Sequence, residues 1–274
     1  MNSRVGCSTI TLGGPAVDKL HAMRAAGFGA VEILARDVFE SLAGAEVLIG
    51  ALAETGLAPA CLQLLRDFEG APAPLRPLKR RIAENVFGQA ALVNADTVIL
   101  CCNTDPASGG DPGMLRDDLN ELGDMARARG LRIAYEPLCW GRWMADYRDA
   151  WRLVRAVDHP SIGLMLDSAH IGGIGLGFEA VEDIDPAKIF LVELNDLPTM
   201  RLPVAEVSRF YRLMPGEGVL DLTGFVRRLQ AVGFAGVYSL EVLSTHYRSL
   251  PPAEVARQGY AAMAALLAPF GLIA

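Results

Sequence analysis

Apolar and polar positions follow two alternating periods along this chain. Short, nearly continuous apolar runs read as strands buried on both faces, and they take turns with amphipathic stretches of helical period. The runs predict strands at 4–12, 30–35, 57–65, 97–103, 131–137, 162–167, 188–195 and 237–243. Helices are expected at 15–26, 39–54, 78–93, 147–157, 222–232 and 252–268, with a further charged helix between 112 and 130. Gly27 and Gly56 stand where the first two helices should stop, and Asp221 where an N-cap belongs. Loops are expected at the proline-rich 71–77, at 104–112, in the glycine-rich turn IGGIGLG after Asp167, and in a long insertion at 196–218. Eight strands separated by helices predict an α/β fold. The reading is a single closed (β/α)8 TIM barrel over residues 1–274, with an open two-sided sheet as the alternative.

Charges that interrupt those apolar runs carry the chemistry. Four successive strands end in a carboxylate: IAYE at Glu136, GLMLD at Asp167, FLVE at Glu193 and YSLE at Glu241. A fifth acid, Glu32, is the odd charge of AVEILA. Any one of these can be a structural acceptor. Four on successive strands converge at one barrel mouth, and they cannot all stay ionised in a dry cleft without a cation. An oxygen-rich set favours a divalent ion such as Mg²⁺ or Mn²⁺ over Zn²⁺ or Co²⁺. His170, three residues after Asp167, is placed to take a proton near that ion. Arg66 ends the third strand; it can face the mouth or pair with Asp67 or Glu69. Arg209 and Arg212 lie in the long insertion, and Trp140-Gly141-Arg142 follows Glu136. Arginines suit a bidentate grip on an anionic substrate, and Trp140 reads equally as mouth lining or packing.

Composition narrows the class. Of 274 residues, 51% are hydrophobic, so a large core is available, and the net charge is −7. An acidic chain lacks the basic face that nucleic acid or an anionic membrane requires. Neither a dinucleotide glycine fingerprint nor a phosphate-loop lysine is present. Five cysteines, Cys7, Cys61, Cys101, Cys102 and Cys139, fall in or beside strands with no CxxC spacing, which reads as buried reduced thiols in a cytoplasmic protein. The expected partner is a small anionic molecule; a homo-oligomer stays open.

The order of Glu, Asp, a third ligand and Glu on strands five to eight resembles the xylose-isomerase-like superfamily of sugar isomerases, epimerases and dehydratases. RDFEGAP (66–72), YEPLCWGRW (135–143), HPSIGLMLDSAH (159–170), FLVELNDLP (190–198) and SRFYRLMPGEG (208–218) are similar to bacterial 3-dehydroshikimate dehydratases. That resemblance implies metal ligands at Glu136, Asp167, Glu193 and Glu241. It implies His170 as catalytic base, and Arg66, Ser208 and Arg212 as substrate-binding residues. The implied reaction is metal-dependent dehydration of 3-dehydroshikimate to protocatechuate through an enediolate. The alternative is a sugar or cyclitol isomerase or epimerase, or an inosose dehydratase, in which Glu136 and Glu241 exchange protons on opposite faces of the substrate. The dehydratase pattern carries Gln where this chain has Glu193, so the site here is one charge more negative.

Overall fold

A computed structural model describes residues 4–39 and 44–273. Eight parallel strands, β1 (Val5–Ser8), β2 (Ala30–Leu34), β3 (Ala58–Arg66), β4 (Thr97–Cys101), β5 (Arg132–Glu136), β6 (Ile162–Asp167), β7 (Ile189–Leu194) and β8 (Val237–Leu240), pair in sequence order. The sheet closes on itself where Val5 of β1 meets Tyr238 of β8. This is the expected (β/α)8 barrel, not the open sheet. Its helices are α1 (Ala16–Ala26), α2 (Ala35–Phe39), α3 (Ala45–Thr55), α4 (Arg76–Leu92), α5 (Pro112–Arg127), α6 (Tyr147–Val157), α7 (Ser168–Gly173), α8 (Val204–Phe210), α9 (Leu222–Ala231), α10 (Thr245–Arg248) and α11 (Pro252–Leu267).

Local sequence explains where these elements stop. Gly27 ends α1 at φ 117°, a conformation that costs a residue with a Cβ far more, and its N–H bonds back to Met23 and Arg24. The Asp221 carboxylate caps α9 by accepting from Gly224 N at 2.9 Å. β6 is buried along its whole length, as a strand with helices outside and side chains filling the barrel must be.

Four expectations shift, each for a visible reason. β1 ends at Ser8 instead of residue 12, because side-chain hydroxyls take over the backbone groups a longer strand would have paired. Thr9 Oγ1 accepts from Leu34 N, and Thr11 Oγ1 donates to Leu240 O and accepts from Val242 N. Of the helix expected at 39–54, α3 covers Ala45–Thr55, α2 (Ala35–Phe39) precedes the expected span except at Phe39, and residues 40–43 lie outside the described residues. The glycine-rich turn opens as helix α7, since the Asp167 carboxylate accepts from Ala169 N at 2.7 Å and starts a helical turn. Glu241 sits one residue past β8, not inside it. All five cysteines are free and buried, as expected. Among the described residues no helix is long and apolar enough to cross a membrane.

Candidate metal centre and active site

The strand ends bring five buried carboxylates into the barrel mouth and its interior: Glu32, Glu136, Asp167, Glu193 and Glu241. Facing them are the buried guanidinium of Arg212 and the buried imidazole of His170. Two groups have ligand atoms within 4.8 Å of one another: Glu136, Asp167 and His170, and Asp167, Glu193 and Glu241. Asp167 belongs to both.

Each of the four expected metal-binding acids has one oxygen tied by a neutral donor, and a second that faces Arg212 or His170 or, in Glu193 alone, nothing. Asp167 Oδ1 accepts from Ala169 N and from Asn195 Nδ2 at 2.9 Å, while Oδ2 faces Arg212 Nη1 at 2.7 Å. Glu136 Oε2 accepts from the Cys101 thiol at 2.9 Å, and Oε1 faces His170 Nε2 at 3.4 Å. Glu193 Oε1 accepts from Gln63 Nε2 at 2.9 Å, and its Oε2 is buried with no partner. Glu241 Oε1 accepts from the same Gln63 nitrogen at 3.0 Å, and Oε2 faces Arg212 Nη1 at 3.0 Å. Anchored oxygens paired with presented ones are what a cation site needs, because the donors behind the carboxylates fix their rotamers.

Electrostatics agrees with that picture. Burial, then the charges of Glu241 and Glu32, push Glu193 well above the ordinary carboxylate range. Burial also raises Glu241 to about 7, against the opposing pull of Arg212. Asp167 is lowered despite its burial, because Arg212 and His170 stand against it. For His170, burial alone would lower the imidazole, but Asp167, Cys139 and Glu136 override it and raise it to about 10. The ring is held edge-on by Trp140, with centroids 5.0 Å apart. Its Nδ1 lies 3.3 Å from Cys139 Sγ, so Nε2 is the nitrogen turned to the mouth.

The expected substrate-binding residues divide. Arg212 does not reach outward. Its guanidinium lies between Asp167 and Glu241, and Nη2 also approaches His170 at 3.3 Å. Ser208 anchors that arginine through its carbonyl oxygen at 2.7 Å and its hydroxyl at 3.1 Å. Arg66, exposed at the end of β3 opposite Cys101, is the arginine left on the rim. Trp140 stacks under Arg209, whose guanidinium carbon is 4.6 Å from the ring centroid. Two residues that contact the acids carry no charge to announce them: Gln63, inside the apolar β3, and Asn195, just past β7.

The model of the xylose isomerase-like TIM-barrel family matches residues 20–266. The chain belongs to that family. Within the xylose isomerase-like family, a Pseudomonas putida protein named 3-dehydroshikimate dehydratase is 37% identical over 252 residues, 92% of this chain and 40% of that protein. A solved structure described as a xylose isomerase-like TIM barrel/4-hydroxyphenylpyruvate dioxygenase fusion protein is 34% identical, with a TM-score of 0.93 over 99% of this chain and 45% of that one. The chain therefore spans less than half the length of either. A Bacillus subtilis protein named inosose isomerase is 32% identical over 142 residues, 50% of this chain and 49% of that protein.

Proposed function

We propose that this chain is a divalent-metal-dependent dehydratase acting on 3-dehydroshikimate and releasing protocatechuate. The observation that carries the reading is the 37% identity to the Pseudomonas putida dehydratase across 92% of this chain. The mouth supplies the groups this chemistry asks for. Glu136, Asp167, Glu193 and Glu241 would hold the ion. The unpartnered buried oxygen of Glu193, within a cluster of like charges, fits a cation. The oxygen-only acid set favours Mg²⁺ or Mn²⁺, with Co²⁺ and Zn²⁺ as further candidates. Such an ion would act as a Lewis acid toward the substrate's ketone oxygen.

The remaining work belongs to side chains. His170 Nε2 faces the mouth beside Glu136 and Asp167, where the imidazole would take the proton α to the ketone once it has given up its own, while Nδ1 lies 3.3 Å from both the backbone nitrogen and the thiol of Cys139. The β-hydroxyl would leave as water with the proton that His170 has taken, and a further ring proton would pass to the ketone oxygen as the ring aromatises. Arg66 on the rim would supply positive charge for the ring carboxylate, while Arg212, fixed by Ser208, stands against Asp167 and Glu241 beneath the mouth. Trp140 packs against the His170 ring and would help fix its orientation. The test is direct: metal-loaded protein mixed with 3-dehydroshikimate should raise protocatechuate absorbance. No rise with Mg²⁺, Mn²⁺, Co²⁺ or Zn²⁺ sinks the reading.

A second reading has its own support. The Bacillus subtilis inosose isomerase matches half of this chain, and Glu193 departs from the dehydratase pattern. In a keto-sugar or cyclitol isomerase, Glu136 and Glu241 would move protons on opposite faces of the substrate. Solvent deuterium appearing at a carbon of recovered inosose would favour it.

A further inference from the structure

Gln63 touches three of the five buried acids, one more than Arg212 does. Its side-chain nitrogen lies 2.8 Å from Glu32 Oε2, 2.9 Å from Glu193 Oε1 and 3.0 Å from Glu241 Oε1. Three carboxylates on one side require the amino end of the amide there, since the carbonyl oxygen has nothing to donate. The residue is 2% exposed, and it reaches from β3 across the barrel to the ends of β7 and β8.

We propose that Gln63 is the positioning residue of the metal centre: one carboxamide holds Glu193 and Glu241 as a pair and turns their second oxygens toward the ion. This deepens the metal-dependent reading and rests on it. The geometry has three parts. First, Gln63 takes Oε1 of both acids, and it is Oε2 of both that remains, unpartnered in Glu193 and against Arg212 in Glu241. Second, the amide has two hydrogens for three acceptors. Glu32 can give up its share because the Cys61 thiol, 3.3 Å from the same Oε2, is a substitute donor. Glu193 and Glu241 have no such substitute at Oε1 among the hydrogen bonds described. Third, Gln63 is neutral. It orients the carboxylates without adding a second cation to the Arg212 guanidinium that already stands against Asp167 and Glu241. Groups that orient ligands in this way typically contribute about 10- to 100-fold to metal affinity.

The experiment is a Mn²⁺ titration of the full chain followed by electron paramagnetic resonance, which reads free ion directly and the symmetry of bound ion from its line shape. Gln63→Met keeps the volume and removes the donors. Gln63→Asn keeps the amide but withdraws it by one methylene. Both should weaken Mn²⁺ binding at least about tenfold and broaden the bound-ion spectrum, with unchanged far-UV circular dichroism. Turnover at saturating Mn²⁺ should show the loss in kcat with KM for substrate little moved. Wild-type affinity and line shape in both variants would overturn the proposal while leaving the metal reading intact. So would an affinity loss that merely tracks the folded fraction in both. Failure of the unmodified chain to bind Mn²⁺, Mg²⁺, Co²⁺ or Zn²⁺ would remove the metal reading itself, and this proposal with it.

Discussion

Two buried acids three residues apart at the end of β7, Glu193 inside the strand and Asp196 just past it, live in opposite circumstances. Asp196 is 1% exposed and Glu193 fully buried, so burial does not separate them. Their partners do. Asp196 Oδ1 accepts from the backbone N–H groups of Leu197 and Leu220, and Oδ2 from those of Gly216 and Gly218, at 2.9 to 3.1 Å. Four backbone donors satisfy the carboxylate and tie the 196–220 insertion into one shape. Glu193 shares a single amide hydrogen source with two other acids, and one of its oxygens has no partner. A protein that only needed an acceptor would build the first environment. The second is stable only with a proton or a cation, which marks it as a working site.

The largest effect expected is on the working side. Asp167→Ala should lose bound metal and turnover together, because Asp167 is common to both groups of candidate ligands. His170→Ala should retain the metal and lower kcat by about 100- to 10,000-fold, the usual contribution of a general base. Metal analysis of the purified variants beside the absorbance assay checks both. A His170→Ala protein that has lost its metal would make the imidazole a ligand and merge the two roles.

Next comes the structural side. Asp196→Ala leaves four N–H groups without their acceptor, and at about 1 kcal/mol for each bond it should cost about 4 kcal/mol. Urea unfolding of metal-free protein measures it. A loss below about 1 kcal/mol would break the contrast, since water would then serve the insertion as well as the carboxylate does.

How much of this was legible follows from the same contrast. β6 and α6 match their expected limits at both ends, because a pure apolar run and a strongly amphipathic helix carry their signals locally. The four mouth acids were legible because a charge inside an apolar run is costly and conspicuous. Gln63 and Asn195 were not. A neutral amide in a strand raises no alarm, and the contacts that give Gln63 meaning lie 130 and 178 residues away. Arg212 was read as reaching for substrate, yet it lies between Asp167 and Glu241. Its place depends on how α8 and the Asp196 ties fold the insertion back over the mouth, which no short window of sequence contains.

A third buried acid tests whether burial and partners can be separated without any metal. Glu69, in the loop after β3, accepts at Oε1 from Asn103 N and the Tyr135 hydroxyl, and its Oε2 has no partner. Burial raises it to about 7 against those donors. A carboxyl raised in the folded state binds its proton more tightly there than in the unfolded chain. Its favourable contribution is therefore complete below the ordinary carboxylate range and is lost as pH rises through about 7. Over that window the loss is on the order of 3 kcal/mol. In Glu69→Gln the amide oxygen can still accept from Asn103 and Tyr135, so the variant should unfold with a flatter pH dependence. The wild-type-minus-variant difference in unfolding free energy between pH 4.5 and 7.5 isolates Glu69 from the mouth acids. A difference that does not change across that range would show Glu69 ionised throughout.

The smallest effect, and the one that bears most directly on the opening pair, is Glu193→Gln. In metal-free protein the substitution removes a buried acid whose neighbours are Glu241 and Glu32, while its carbonyl oxygen can still accept from Gln63. Relief of that crowding should raise stability by about 1 kcal/mol, because an isosteric neutral group replaces one that is costly to ionise in place. Removing a charged ligand should at the same time weaken Mn²⁺ binding, by about tenfold. The two signs together are the point. Asp196→Ala should destabilise the chain whether or not metal is present, whereas Glu193→Gln should stabilise the metal-free form and lose its advantage as Mn²⁺ is added. Chemical unfolding in chelator and in saturating Mn²⁺ reads both terms. A Glu193→Gln variant less stable than wild type in chelator would mean that Gln63 and the barrel interior satisfy Glu193 as fully as four backbone donors satisfy Asp196, and the distinction between the two acids would fall.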